Sequence, residues 1–279
     1  MKRKLFVMAL ALGLTVSMVG CSDKTSNTTP TSSGSVKSVS NEATSDVAYI
    51  KDKGTLIIGM TEFAPMDYKV EGSNEWIGFD ADMGKAFASY LGVDAKFIEI
   101  NWDNKLMELD TKAIDVIWNG MTLTEEVKAG ASTPEPYCNN GQVVVLPVSK
   151  AANYQTVESL SGLRFAVENG SAGAEQLDEL GLSYTALDTQ AKALMEVASG
   201  ASDACVIDLL MAGAMIGEGT SYPNLTYTVQ LNSEEYGVAF RKGSDMVDEF
   251  NSFWKSAYDD GTVMEIATTY GVQESIIAK

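Results

Sequence analysis

Apolar positions along the chain alternate between short continuous runs and helical stripes. Gly54-Thr55-Leu56-Ile57-Ile58-Gly59 is a β-rich run between glycines, which predicts a strand. Met83, Ala86, Phe87, Tyr90 and Leu91 recur at i, i+3, i+4, i+7 and i+8 over residues 80–91, the stripe of a helix, and Gly92 follows as its stop. Lys96 to Ile100 reads as a strand, 103–112 as a helix, and Ile114 to Trp118 as a buried strand. Gln142 to Val148, Arg164 to Val167 and Ala204 to Ile207 are further strands. Val247, Phe250, Trp254, Ala257 and Tyr258 form a strong helix face near the end. Strand–helix alternation implies α/β layers with largely parallel sheets. Ligands of such folds sit at the carboxyl ends of strands, so the residues just after each strand carry the functional interest.

The first twenty residues do not follow this rhythm. Lys2-Arg3-Lys4 precedes an uncharged apolar run from Leu5 to Gly20, the pattern of an export signal over 1–20. The run ends Met18-Val19-Gly20-Cys21, which resembles the lipobox of bacterial lipoproteins, with Met18 where Leu is commoner. That resemblance implies cleavage before Cys21 and attachment of lipid, palmitate included, to the mature terminus. Residues 21–47 then read as the lipidated Cys and a flexible tether, rich in Ser, Thr and Asn and without apolar periodicity. A lipid, a tether and a globular body suit a protein held at the outer face of the cell membrane and working in the adjacent water. Of the remaining cysteines, Cys138 and Cys205 are open to either reading, a disulfide outside the cytosol or two buried free thiols.

Composition narrows the chemistry. The 279 residues are 45% hydrophobic and 21% charged, an ordinary globular balance. Asp+Glu number 38 against 20 Lys+Arg, a formal charge of -18, which argues against a nucleic-acid partner. Histidine is absent, which removes Ser-His-Asp and Cys-His hydrolases and most zinc enzymes. Nothing in the spacing of acids suggests a metal or an organic cofactor.

Seven segments stand in order at the expected strand ends. They are Thr61-Glu62-Phe63-Ala64-Pro65-Met66; Trp76-Ile77-Gly78-Phe79-Asp80-Ala81-Asp82; Asp115 through Thr124, containing Trp118-Asn119-Gly120-Met121-Thr122; Pro136-Tyr137 ahead of Gln142-Val143-Val144-Val145; Val167-Glu168-Asn169-Gly170-Ser171; Ser202 through Asp208; and Glu235 through Gly243. Their order and spacing, from about 48 to 275, resemble the extracellular solute-binding proteins, family 3 type, of polar amino-acid ABC importers. The resemblance implies a bilobed periplasmic-binding-protein-like fold, with two α/β lobes joined by two hinge strands around a central ligand cleft. Lobe 1 would span 48–138 plus 237–279, and lobe 2 139–236. The implied activity is capture of a small solute, an amino acid in first place, and its delivery to membrane permease subunits by hinge closure of a monomer.

The same resemblance nominates ligand contacts. Phe63 matches a stacking aromatic; Asn119, Gly120 and Thr122 match a loop offering backbone groups and a hydroxyl, with Trp118 beside it as core or cleft wall. Gly170, Ser171 and Ala172 match an anion cradle at a helix start, where free N–H groups suit a carboxylate. Asp208 matches the acid that pairs with the ligand ammonium. Each has a plainer alternative in packing, turn formation or capping. Glu62 and Asp67 read as solvated, and Asp203 as a turn or cap. One departure stands out: the family usually has Arg five residues after the Thr122 position, and here that residue is Val127, with Lys128 adjacent. Without that fork, a carboxylate would need helix N–H groups and another cation, such as Arg164 or Arg241, or the solute is an amine rather than a standard amino acid. A dehydratase on the same fold, or a sensor using the same cleft, are the competing readings.

Overall fold

The computed structural model describes residues 45–70 and 72–279. The expected export signal, Cys21 and the tether before Ser45 lie outside these residues. In chain order the elements are α1 (Asp46–Lys53), β1 (Thr55–Met60), β2 (Tyr68–Lys69), β3 (Trp76–Ile77), α2 (Phe79–Leu91), β4 (Asp94–Glu99), α3 (Lys105–Asp110), β5 (Val116–Thr122), α4 (Glu125–Gly130), β6 (Cys138–Asn140) and β7 (Gln142–Pro147). They continue with β8 (Phe165–Glu168), α5 (Ala172–Glu179), β9 (Tyr184–Leu187), α6 (Gln190–Ser199), β10 (Ala204–Asp208), α7 (Leu209–Met215), β11 (Leu225–Gln230), β12 (Glu234–Ala239), α8 (Met246–Asp259) and α9 (Thr262–Tyr270).

Two five-stranded sheets organise these elements, in the orders β4-β1-β5-β12-β6 and β11-β7-β10-β8-β9. In the first, β1 runs parallel to β4 and β5, while β12 is antiparallel to β5 and β6. In the second, β8 runs parallel to β9 and β10, while β7 is antiparallel to β10 and β11. The fold is the bilobed α/β arrangement expected. The central strands β5, β7, β8 and β10 are buried along nearly their whole length, whereas the edge strands β4 and β9 are partly exposed. Along β7, Val143 and Val145 enter one core cluster and Val144 and Leu146 the other, the period-two alternation of a strand buried on both sides. The helix stripe of α2 packs Phe87 within 5.0 Å of Phe253 and 5.5 Å of Phe250 on α8, ring centroid to centroid.

The chain passes between sheets twice, at Gly141 between β6 and β7 and at 231–233 between β11 and β12. The two crossings are stitched together: the N–H of Gln142 donates to Asn232 Oδ1 at 2.7 Å, and the N–H of Leu231 donates to the Gln142 carbonyl at 2.8 Å. A Cβ on Gly141 would lie 2.5 Å from Gln230 Nε2 and 2.7 Å from the Asn232 carbonyl oxygen, so glycine is what lets them cross so closely.

Three sequence expectations shift. The end of the expected tether, 21–47, overlaps α1, which starts at Asp46: the Ser45 hydroxyl accepts from the Ala48 N–H at 3.0 Å, and Asp245, far along the chain, accepts from the Val47 N–H at 3.0 Å. β5 runs on through Thr122, so Asn119 to Thr122 are strand rather than loop; the cause is long-range pairing with β12 (Tyr236↔Thr122, Gly237↔Met121). Cys138 and Cys205 are free buried thiols in different sheets.

Candidate functional site

The ends of β1, β5, β8 and β10 converge on one closed cavity. It is lined by Phe63, Asn119, Gly120 and Thr122 from the first sheet and by Gly170, Ser171, Ala172 and Asp208 from the second. Thr61, Glu62, Trp102, Lys105, Met121, Thr124, Val127, Glu168 and Gln190 complete the wall. Its water-accessible volume is about 20 Å³, room for about one water, so a larger solute requires the walls to part. Trp118 is not in the wall. Successive strand residues point to opposite faces, and Trp118, fully buried, packs against Phe250 at 5.1 Å and Phe87 at 6.3 Å in the core behind the site.

The first wall is held from beneath. Asn119 Oδ1 accepts from the N–H and hydroxyl of Thr61 at 2.9 and 2.8 Å, and its Nδ2 donates to the Thr61 carbonyl at 3.0 Å and to Asp67 Oδ2 at 2.7 Å. The Asn119 side chain therefore ties β5 to the end of β1 and has no free donor for a ligand. The Gly120 N–H is likewise taken, donating to Asp80 Oδ2 at 2.5 Å. Gly120 has φ +51°, and a Cβ there would sit 2.3 Å from Phe63 Cε1. Glycine is required here for the Phe63 ring to lie across the strand. Beneath the wall, Asp67 is fully buried rather than solvated, on a turn that folds back so that the Phe63 N–H donates to the Asp67 carbonyl at 2.6 Å. Burial pushes Asp80 up to about 7, and burial followed by the Asp80 charge raises Asp67 well above the carboxylate range.

The second wall is the start of α5. Ser171 is its N-cap, with its hydroxyl accepting from the Ala174 N–H at 3.2 Å, which leaves the first N–H groups of the helix facing the cavity mouth. Lys105 comes across from α3 to this point: its Nζ donates to the Gly170 carbonyl at 2.9 Å and lies 5.1 Å from the Trp102 ring centre. Desolvation lowers the Lys105 pKa, with Glu126 and Glu168 acting against that shift.

Asp208 ends β10 and is 3% exposed. Its Oδ1 accepts from Asn140 Nδ2 at 2.5 Å, Tyr236 OH at 2.6 Å and Gln142 Nε2 at 3.0 Å, and its Oδ2 accepts from Gln190 Nε2. Asn140 and Gln142 flank one crossing and Tyr236 follows the other, so Asp208 is fixed by both. It occupies the N-cap position of α7 but makes no capping bond. Burial and the Glu234 charge raise its pKa to about 7. Thr122 also points to this hub, its hydroxyl donating to Glu234 Oε1 at 2.9 Å. Glu168, at the end of the adjacent strand β8, is 3% exposed, and burial followed by the Asp208 charge raises it to about 8.

Neither cation considered from the sequence reaches the cavity. Arg164 is 63% exposed and pairs with Asp203 at 2.9 Å. Arg241 is buried behind the first sheet, with Nε 3.0 Å from Asp46 and NH1 donating to the Ile114 carbonyl at 2.9 Å. Lys128 points outward to Glu125, and Val127 is fully buried in the wall. The cation present is Lys105. It and Glu168 escaped sequence reasoning because each belongs to an element whose partner across the cleft lies far away in the chain. The one available signal was Glu168's position at a strand end next to Gly170.

Comparison with known proteins agrees with this geometry. A model of bacterial extracellular solute-binding proteins, family 3, matches residues 56–273. The L-cystine-binding protein TcyJ of Escherichia coli (strain K12) is 27% identical over 237 residues, 84% of this chain and 88% of its own. The ABC transporter glutamine-binding protein GlnH of Bacillus subtilis (strain 168) is 29% identical over 273 residues, 95% of this chain and 96% of its own. The structure of holo ArgBP from T. maritima superposes with a TM-score of 0.70 at 33% identity, covering 76% of this chain and 93% of that one. With two sheets, two crossings and one cleft between them, the chain belongs to the bacterial extracellular solute-binding proteins, family 3.

Proposed function

We propose that this protein captures an amino acid outside the cell and presents it to the permease subunits of an ABC importer, with its lipid on Cys21 holding it, as a monomer, at the membrane surface. The observation that carries this reading is the polarity of the cavity. Lys105 and the start of α5 line it together with Asp208, a positive group and helix N–H donors in one cavity with an acid. A carboxylate suits the first and an ammonium the second. Phe63, Trp102 and Val127 supply the apolar wall. Capture at micromolar strength needs about 8 kcal/mol net, within reach of a few charge-assisted hydrogen bonds in a cleft that excludes water. We place the lobe limits at the two crossings: the first lobe carries the β4-β1-β5-β12-β6 sheet and the second the β11-β7-β10-β8-β9 sheet. Solute bound by both lobes favours the closed state, and the closed face is what the permease recognises.

Val127 in place of the expected Arg supports a second reading, an amine without a carboxylate. A dehydratase role has less support, since one lysine is a thin cation supply for two substrate carboxylates. A thermal-shift screen against the twenty amino acids and simple amines separates these readings. Amino acids raising the melting temperature by mass action while the matching amines do not is the expected result. A shift with amines alone overturns the amino-acid reading.

A further inference from the structure

Glu168 is a buried acid of the cleft with one oxygen that the protein leaves open. Its side chain is nine-tenths or more buried, it lines the cavity, and its Oε1 has no hydrogen-bond partner among the described residues. Asp208 beside it already has three donors on Oδ1 and one on Oδ2, so only Oδ2 keeps room for a solute ammonium. A buried carboxylate oxygen left open costs free energy, so the unliganded protein keeps it at a loss. The wall's buried titratable groups are Lys105, Asp208 and Glu168, one positive against two negative once both acids are ionised, as at pH 8.5. A neutral zwitterion bound between Lys105 and Asp208 leaves the Glu168 charge unmatched. A solute with one further positive group closes the balance.

Building on the amino-acid reading above, we propose that Glu168 determines specificity, its open oxygen receiving a cationic side chain, so that the cleft selects amino acids with a basic side chain over neutral ones of the same shape. Gln190 positions this contact. It donates to Asp208 Oδ2 and accepts from the Asp208 N–H at 2.9 Å, and its amide also steadies the Glu168 carboxylate, whose Oε1 stays open. Val127 fits the same scheme: an arginine there would add a positive charge to a cleft built to receive one.

Calorimetric titration of the protein with L-arginine, L-lysine, L-citrulline and L-glutamine at pH 8.5 tests this directly. Citrulline keeps the length and shape of arginine and lacks its charge. Arginine or lysine binding at least about tenfold more tightly than citrulline and glutamine, a difference of about 1.4 kcal/mol, is the expected result. Glu168→Gln is expected to abolish that preference while citrulline affinity stays within about threefold. Lys105→Met is expected to weaken all four alike. The apo melting temperature of each variant confirms folding. Equal affinity for citrulline and arginine in the unaltered protein, or a preference that survives Glu168→Gln, overturns the role of Glu168 while leaving amino-acid capture standing. Binding of none of the four overturns both.

Discussion

At the scale of single residues, the cleft divides its labour between groups that hold the frame and groups left open. Asn119, Asp80 and the Gly120 N–H are spent on holding the first wall, while Asp208 gives Oδ1 to the crossings and keeps Oδ2 for the solute. Asp208→Ala strands four buried donors at once, each unmatched donor costing about 1–3 kcal/mol. We expect a lower melting temperature as well as at least about tenfold weaker solute binding, read by calorimetry on the folded fraction. Gly120→Ala places a methyl on the Phe63 ring at a left-handed backbone position. It should weaken binding of every amino acid without changing their rank. Phe63, Gly170, Ser171 and Asp208, nominated through the family resemblance, come together in the lining of one cavity. Trp118 was ambiguous for a local reason: one residue of strand register decides core against cleft. Lys105 and Glu168 were not legible, since their meaning comes from what faces them across the gap.

At the scale of elements, closure rests on a narrow contact. The short helix Trp102–Asn104 and the start of α3 bring Asp103 and Lys105 against the loop before α5. Gly170 has φ +67°, and a Cβ there would lie 2.8 Å from Asp103 Oδ1 and 2.9 Å from Asp103 Cα. The first is a flexible side chain, the second is backbone that must move. Gly170→Ala should therefore hold the walls apart, lowering affinity by about tenfold through faster release, which stopped-flow dissociation measures directly. Strands with an internal apolar run, such as β1 and β7, were legible to within a residue or two. β5 was cut short in the sequence reading because its last residues, Asn119, Gly120 and Thr122, are polar or small. They are held in the strand by β12, more than a hundred residues onward.

At the scale of the whole molecule, the buried acids set the response to pH. Free carboxyls ionise near pH 4. In the folded protein Asp80 and Asp208 hold their protons to about 7 and Glu168 to about 8, because burial disfavours their charge. Between those values the folded state binds more protons than the unfolded chain, so stability falls as pH rises from about 4 to about 8. The unliganded protein should melt at a higher temperature at pH 5 than at pH 8. A cationic solute needs Glu168 charged, so its affinity should rise over the same interval, and the melting difference between pH 5 and pH 8 should shrink when it is present. Proton uptake or release on binding, measured by calorimetry in buffers of different ionisation enthalpy, checks this. The two-lobed plan itself was legible from the order of the seven segments. The order of strands within each sheet was not, because no local pattern records which distant strand a given strand joins.

Small-angle X-ray scattering of the protein, with and without a millimolar mixture of the twenty amino acids, tests most directly whether two lobes shut over a solute. A smaller radius of gyration in the presence of the mixture, with the scattering curve moving toward that of the closed structure, is predicted. Identical curves under conditions where calorimetry records binding would contradict capture by closure.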